Sequence, residues 1–327
     1  MLDMRFHILM IRIVLRYGYS HRLEGFMFKR GIFVLVVILI FVSSATADEK
    51  NHDFRSVKAD LLIPPLVESK PGPGIRTKIR NLDNMTEVYC VLYLPRDWKP
   101  NKKFPIIVEY AGNGPYHNKY GDISTGLVED SKLGYGLSGG EGYIWLCLPY
   151  LNSKGTKNVR KWWGDAPDYD PVPTVNYCKQ TVQEICEKFG GDEQKVILCG
   201  FSRGAIACNY IGLYDDEIAK LWAGFMPFSH YDGVLNWNYP GSDKKSAIKR
   251  ISRLRGRPQL ILSESSSNNQ LTRNFLESLD GIDTSKFIYK ESGFRNHSDE
   301  WILRPSKARA FARHWLKSVA PILKSNP

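Results

Sequence analysis

The stretch Lys195-Val196-Ile197-Leu198-Cys199-Gly200-Phe201-Ser202-Arg203-Gly204-Ala205-Ile206-Ala207-Cys208-Asn209-Tyr210 decides how this chain is read. Its first five residues form a short apolar run of the kind buried in a sheet. Residues 205–210 are small and apolar, as a helix packed on that sheet must be. Between them, Gly-x-Ser-x-Gly predicts a sharp strand-to-helix turn. The strand aims the Ser202 hydroxyl outward, small glycines let the backbone turn tightly, and the helix start offers amide donors to developing negative charge. The same pattern recurs at Gly136-Leu137-Ser138-Gly139-Gly140. There a polar, glycine-rich stretch precedes the serine and a strand follows it, so residues 134–142 read as a flexible loop.

Working outward, apolar runs at 88–94, 105–110, 143–148, 195–199, 222–228, 259–263 and 287–290 predict strands. Helical patterns lie between and after them, at 175–189, 204–213, 244–254, 270–279 and 307–319. This alternation predicts an α/β protein whose doubly wound, mostly parallel sheet is covered on both faces. One domain over residues 76–327 accounts for it. Residues 48–75, rich in proline and charge, read as an N-terminal arm.

Ahead of the arm, Lys29-Arg30 precede an uncharged apolar run at 31–42 and then Ser43-Ser44-Ala45-Thr46-Ala47-Asp48. A basic region, a short apolar core and an Ala-Thr-Ala cleavage site make a secretory signal peptide spanning residues 1–47. The run is shorter than the roughly 20 apolar residues a membrane span needs, so the membrane is expected as a passage only. Met27 opens an ordinary signal of this kind, which places residues 1–26 upstream of the expected start. The expected location is outside the cell or in a periplasm.

The whole chain has 45 Lys and Arg against 34 Asp and Glu, a net charge of +11. Residues 1–47 hold six of the former and two of the latter, leaving 39 against 32 and a net of +7 over the remaining 280. A charge so mild, with no recognisable reading module, gives no footing for a nucleic-acid partner. The basic cluster Lys244, Lys245, Lys249, Arg250, Arg253, Arg255 and Arg257 is interleaved with apolar residues at helical spacing and reads as a solvated helix face. Six cysteines show no Cys-x-x-Cys or paired-histidine spacing; they read as mostly buried thiols, with no metal expected.

The Ser202 turn, together with Tyr93-Leu94-Pro95 and Lys103-Phe104-Pro105-Ile106-Ile107-Val108, resembles the α/β-hydrolase family from Glu87 to the C-terminus. The opening is similar to that of secreted esterases of the feruloyl-esterase and polyhydroxybutyrate-depolymerase type. The resemblance implies a serine nucleophile, then an acid, then a histidine base, with no cofactor. Ser202 is the nucleophile. His297 follows the last predicted strand, where the family's base resides, whereas His314 lies within a helix and His230 follows an earlier strand. Two residues compete for the acid, Glu264 after the 259–263 strand and Asp232 after the 222–228 strand. The oxyanion hole is expected from the amides of Arg203 and of Asn113, in Ala111-Gly112-Asn113-Gly114. Ala111 stands where the family carries a histidine. The Arg203 side chain is expected to reach the substrate or oxyanion, or to form a salt bridge with a nearby carboxylate.

A long loop carries Trp162-Trp163, expected to bind substrate on the active-site edge, with Trp237 and Trp301 near the other loops. The expected activity is hydrolysis of a carboxylic ester by a secreted serine esterase, on a small molecule or an acylated polysaccharide. A serine peptidase of the same fold and a binding module that kept the fold without the chemistry are the competing readings.

Overall fold

The computed structural model describes residues 51–80, 86–237 and 239–322. The signal-like segment 1–47 and its internal start at Met27 lie outside these residues. Among the described residues one sheet contains β1 (Leu66–Val67), β2 (Arg76–Arg80), β3 (Tyr89–Tyr93), β4 (Phe104–Tyr110), β5 (Ile144–Leu148), β6 (Gly191–Phe201), β7 (Gly224–Phe228), β8 (Gln259–Ser263) and β9 (Phe287–Glu291). Their spatial order is β1-β2-β3-β5-β4-β6-β7-β8-β9. Every pair from β5 to β9 is parallel, and β3 runs antiparallel to both β2 and β5. This is the doubly wound, mostly parallel sheet that the alternating pattern predicts.

Strand alternation divides the apolar side chains between two layers. Ile106, Val108, Leu146, Leu148, Val196 and Leu198 pack on one face, beneath helices that include α2 (Val172–Phe189), α3 (Arg203–Tyr210), α4 (Lys244–Ile251) and α5 (Ser266–Glu277). Ile107, Trp145, Cys147, Ile197, Cys199 and Phe201 pack on the other, beneath α1 (Leu133–Ser138) and α6 (Lys307–Val319). All six cysteines are free thiols, and only Cys186 is not fully buried.

Three expectations need correction. Residues 133–138 form helix α1 rather than a loop, and the Ser138 hydroxyl donates to the Gly134 carbonyl at 2.9 Å. Glycine serves close packing here: a Cβ on Gly134 would lie 2.1 Å from the Trp145 ring. Buried Glu109 on β4 accepts from the amides of Lys132, Leu133 and Gly134 and from the Trp145 indole, so a core carboxylate caps this short helix.

The arm, too, is part of the body. The His52 amide donates to Gly293 and its carbonyl accepts from Arg295, Phe54 is buried, and Asp60 pairs with Arg309 through two 2.6 Å contacts. Finally, the basic cluster is not wholly solvated. Arg250 is buried against Asp232, and Arg257 donates to the carbonyls of Leu254, Ala219 and Trp222. Helix ends leave carbonyls without intrahelical donors, and Arg257 satisfies several of them.

Candidate active site

Strand β6 ends at Phe201 and α3 starts at Arg203, which leaves Ser202 alone in the turn at φ 55° and ψ −111°. A non-glycine residue in this region is strained, and it persists only where its surroundings fix it. The Ser202 amide donates to the Phe228 carbonyl at the end of β7, at 2.9 Å. Gly204 permits the rest of the turn, because a Cβ there would meet the Tyr110 carbonyl at 2.0 Å. The hydroxyl is thereby held at the carboxyl edge of the sheet, where parallel α/β sheets gather their ligands.

His297 Nε2 lies 3.0 Å from Ser202 Oγ, and its Nδ1 lies 2.8 Å from Glu264 Oε1. With Nε2 accepting from the serine hydroxyl, the proton belongs on Nδ1, which donates to the carboxylate. Glu264 is nearly buried, 8% exposed against 28% for the histidine side chain. Burial pushes its carboxyl up, but the hydrogen bond and charge of His297, a backbone amide and the Ser229 hydroxyl outweigh that and hold it below the usual value. It is therefore an anion wherever His297 needs an oriented partner. The backbone amide of His297 donates to Asp122 at 2.8 Å, which fixes its loop.

Of the two acids, the structure brings only Glu264 to the histidine. Asp232 is fully buried in a two-pronged pair with Arg250, at 2.8 and 3.0 Å. An acid so paired has no lone pair aimed at His297, which removes Asp232 as the alternative. Asp299 likewise pairs with Lys132 at 3.1 Å.

Sequence reasoning missed Ser229. It follows β7, is buried, and has φ 90°. Its hydroxyl lies 2.9 Å from His297 Nδ1, on the side of the ring that faces Glu264. Positive φ in a serine leaves no mark on a single sequence.

As first residue of α3, Arg203 has an amide without an intrahelical acceptor, as an oxyanion donor needs. Its side chain departs from expectation. It is buried, donating to the carbonyls of Trp162 at 2.7 Å and Gly112 at 2.9 Å, with the guanidinium 3.7 Å over the Tyr150 ring. Burial lowers its pKa to about 10, which still leaves it charged. Its hydrogen bonds go to backbone carbonyls and, among the described residues, not to a carboxylate. Asn113 adds a second tie, its side chain accepting from the Trp162 amide at 2.8 Å. Arg203 and Asn113 thus lock the 111–114 loop to the tryptophan loop.

The two tryptophans divide. Trp162 is half-buried, with its ring centroid 4.7 Å from Tyr239 and 5.5 Å from Trp237. Trp163 is completely buried and stacked on Tyr210 at 4.3 Å, so it supports the wall and cannot be a binding surface. Trp301 is also core, packed on Phe228. His230 sits 5.3 Å from the His297 ring and 5.5 Å from Trp237. Burial, with the nearby charge of His297, lowers it to about 4, so it is neutral near pH 7. With Val234, Leu235, Trp237 and Leu271 it lines a dent of about 30 Å³ beside the base.

No family model matches this sequence, and no curated protein matches it. Solved structures do match. A thermostable esterase is 16% identical, with 75% of this chain and 62% of that chain covered and a TM-score of 0.45. Dipeptidyl peptidase 4 of Porphyromonas gingivalis is 15% identical, with 75% and 35% covered and a TM-score of 0.49. An acetyl ester-xyloside bifunctional hydrolase of Caldicellulosiruptor lactoaceticus is 14% identical, with 78% and 100% covered and a TM-score of 0.49. The chain thus spans less than two thirds of the first two proteins. The architecture rests on the strand order itself, a doubly wound, mostly parallel sheet packed on both faces.

Proposed function

We propose that this chain is a serine hydrolase that cleaves carboxylic esters through an acyl-enzyme. The observation that carries the reading is the continuous hydrogen-bonded relay from Ser202 through His297 to Glu264. His297 takes the serine proton as Ser202 Oγ attacks the ester carbonyl. The oxyanion accepts from the amides of Arg203 and Asn113, and the leaving alkoxide takes the proton back from His297. Water, deprotonated by the same nitrogen, then attacks the acyl group, and Ser202 leaves as the hydroxyl. Glu264 keeps the ring in the required tautomer and stabilises the imidazolium.

The signal-like segment at 1–47 supports export, with a mature chain from Asp48. Export, together with the half-exposed Trp162 beside the site, favours a polymer-borne ester such as an acylated polysaccharide. The dent beside His297 suits a small group, since a single water needs about 10–15 Å³.

A fluorophosphonate probe should label the wild-type chain and not Ser202→Ala. Short aryl esters should lose about a millionfold in kcat with that substitution, while the melting temperature stays near wild type. Turnover retained by Ser202→Ala sinks the proposal, and preference for paired peptide over ester substrates redirects it to peptidase chemistry.

A further inference from the structure

A cavity of about 520 Å³ opens on the same edge of the sheet, lined in part by Tyr89 from β3, Tyr150 after β5 and Ala111 after β4. That size falls in the range of small-ligand sites. Ser202 follows β6, the strand beyond β4, so at about 4.8 Å per strand a cavity centred on β5 lies roughly 10 Å from the nucleophile. The two are mechanically joined. Tyr150 lines the cavity, lies beneath the Arg203 guanidinium and donates to the Ala111 carbonyl at 3.2 Å, and the Arg160 carbonyl accepts from the Gly114 amide at 3.0 Å.

Among the described residues the lining is electrically lopsided, with Arg80, Lys157 and Arg160 against Glu87. None of these three cations has a salt-bridge partner among the described residues. Arg160 spends Nε and Nη2 on the Thr125 carbonyl, which holds its charge in place without neutralising it. Two neutral polar side chains are already engaged: Asn158 exchanges hydrogen bonds with the Tyr89 backbone and the Tyr89 hydroxyl donates to Glu129. Among the described residues the lining therefore carries an excess of positive charge.

We propose that it is a subsite for an anionic group, a carboxylate or a sulfate, carried by the substrate away from the scissile ester. This rests on the ester-hydrolase reading above, and it makes the substrate an acylated acidic carbohydrate. Two exposed cations facing one anion are each worth about 1 kcal/mol at most, so together they correspond to roughly tenfold to thirtyfold in affinity.

Calorimetric titration of Ser202→Ala tests it with trigalacturonate, a sulfated disaccharide and neutral xylotriose. At least one acidic sugar should bind about tenfold tighter than xylotriose, and more weakly as salt is raised. The arm that binds identifies the anion. The double variant Arg80→Ala/Lys157→Ala should lose about tenfold with its melting temperature preserved, whereas Lys154→Ala, outside the cavity, should lose nothing. Equal binding of acidic and neutral sugars, no binding of either acidic sugar, or a double variant that is folded and binds as before overturns the proposal. These titrations need no nucleophile, so a wild-type chain that resists fluorophosphonate would overturn the hydrolase reading separately.

Discussion

The hydroxyl of Ser229 lies 2.9 Å from Nδ1 of the proposed base His297, and its backbone is held at φ 90°. Glycine accepts that conformation freely, which separates the hydroxyl from the strain. Ser229→Ala removes the hydroxyl and keeps the strain; Ser229→Gly removes both. A hydrogen bond to a charged group is worth about 1.5–3 kcal/mol, so both variants should lose about tenfold to a hundredfold in kcat. Ser229→Gly should nevertheless melt higher than Ser229→Ala. If activity instead tracks melting temperature, the residue matters only for folding. Ser202 was legible because its pattern is local, and His297 because the family resemblance places the base after the last strand. Glu264 and Asp232 were not separable, since each follows one of two adjacent strands. The partner that disqualifies Asp232 is Arg250, which sequence reading placed on a solvated surface.

Helix α1 shows the same limit at the level of an element. Its sequence, Leu133-Gly134-Tyr135-Gly136-Leu137-Ser138, has poor helix propensity and no capping residue before it. What organises it is Glu109 from β4, which engages three amides at its start and the Trp145 indole, all inside the core. Burial, with the nearby negative charge of Asp299, pushes this carboxyl up to about 7 in spite of its donors. A raised carboxyl pKa adds stability that is full below the unfolded value near 4.5 and is lost as pH rises through about 7. Glu109→Gln turns an amide against donors that need an acceptor, leaving at least one unsatisfied at a cost of about 1–3 kcal/mol. Urea unfolding should therefore find the variant less stable at pH 5, with a flatter dependence between pH 5 and 8. An unchanged pH slope would mean that Glu109 is ionised throughout.

Across the whole molecule, the segment read as an arm clamps the two loops that carry the base and the acid. Phe54 inserts into the core, its amide donates to Asn296 beside His297, and Asn51 reaches the Glu264 carbonyl and the Glu291 carboxylate. Phe54→Ala should cost about 3 kcal/mol, and the folded fraction should also turn over several-fold more slowly. Denaturant titration with active-site counting by the fluorophosphonate probe separates the two effects; unchanged turnover per labelled site would make the clamp purely structural. Much of the fold was legible at a distance, because a parallel sheet covered on both faces writes itself as runs of apolar residues separated by helices. Strand β2, Arg76–Arg80, escaped because it sits near the sheet edge and carries three cations in five residues. By itself the sequence determined the α/β class and the strand-turn-helix that holds Ser202, since these rest on local periodicity, while the expected order of serine, acid and histidine came from the family resemblance. Only the tertiary structure decided which acid faces His297, that Ser229 sits against His297, that Trp163 is core and that three cations converge on one cavity. Each of those depends on distance between residues far apart in the chain, and composition and spacing carry no record of it.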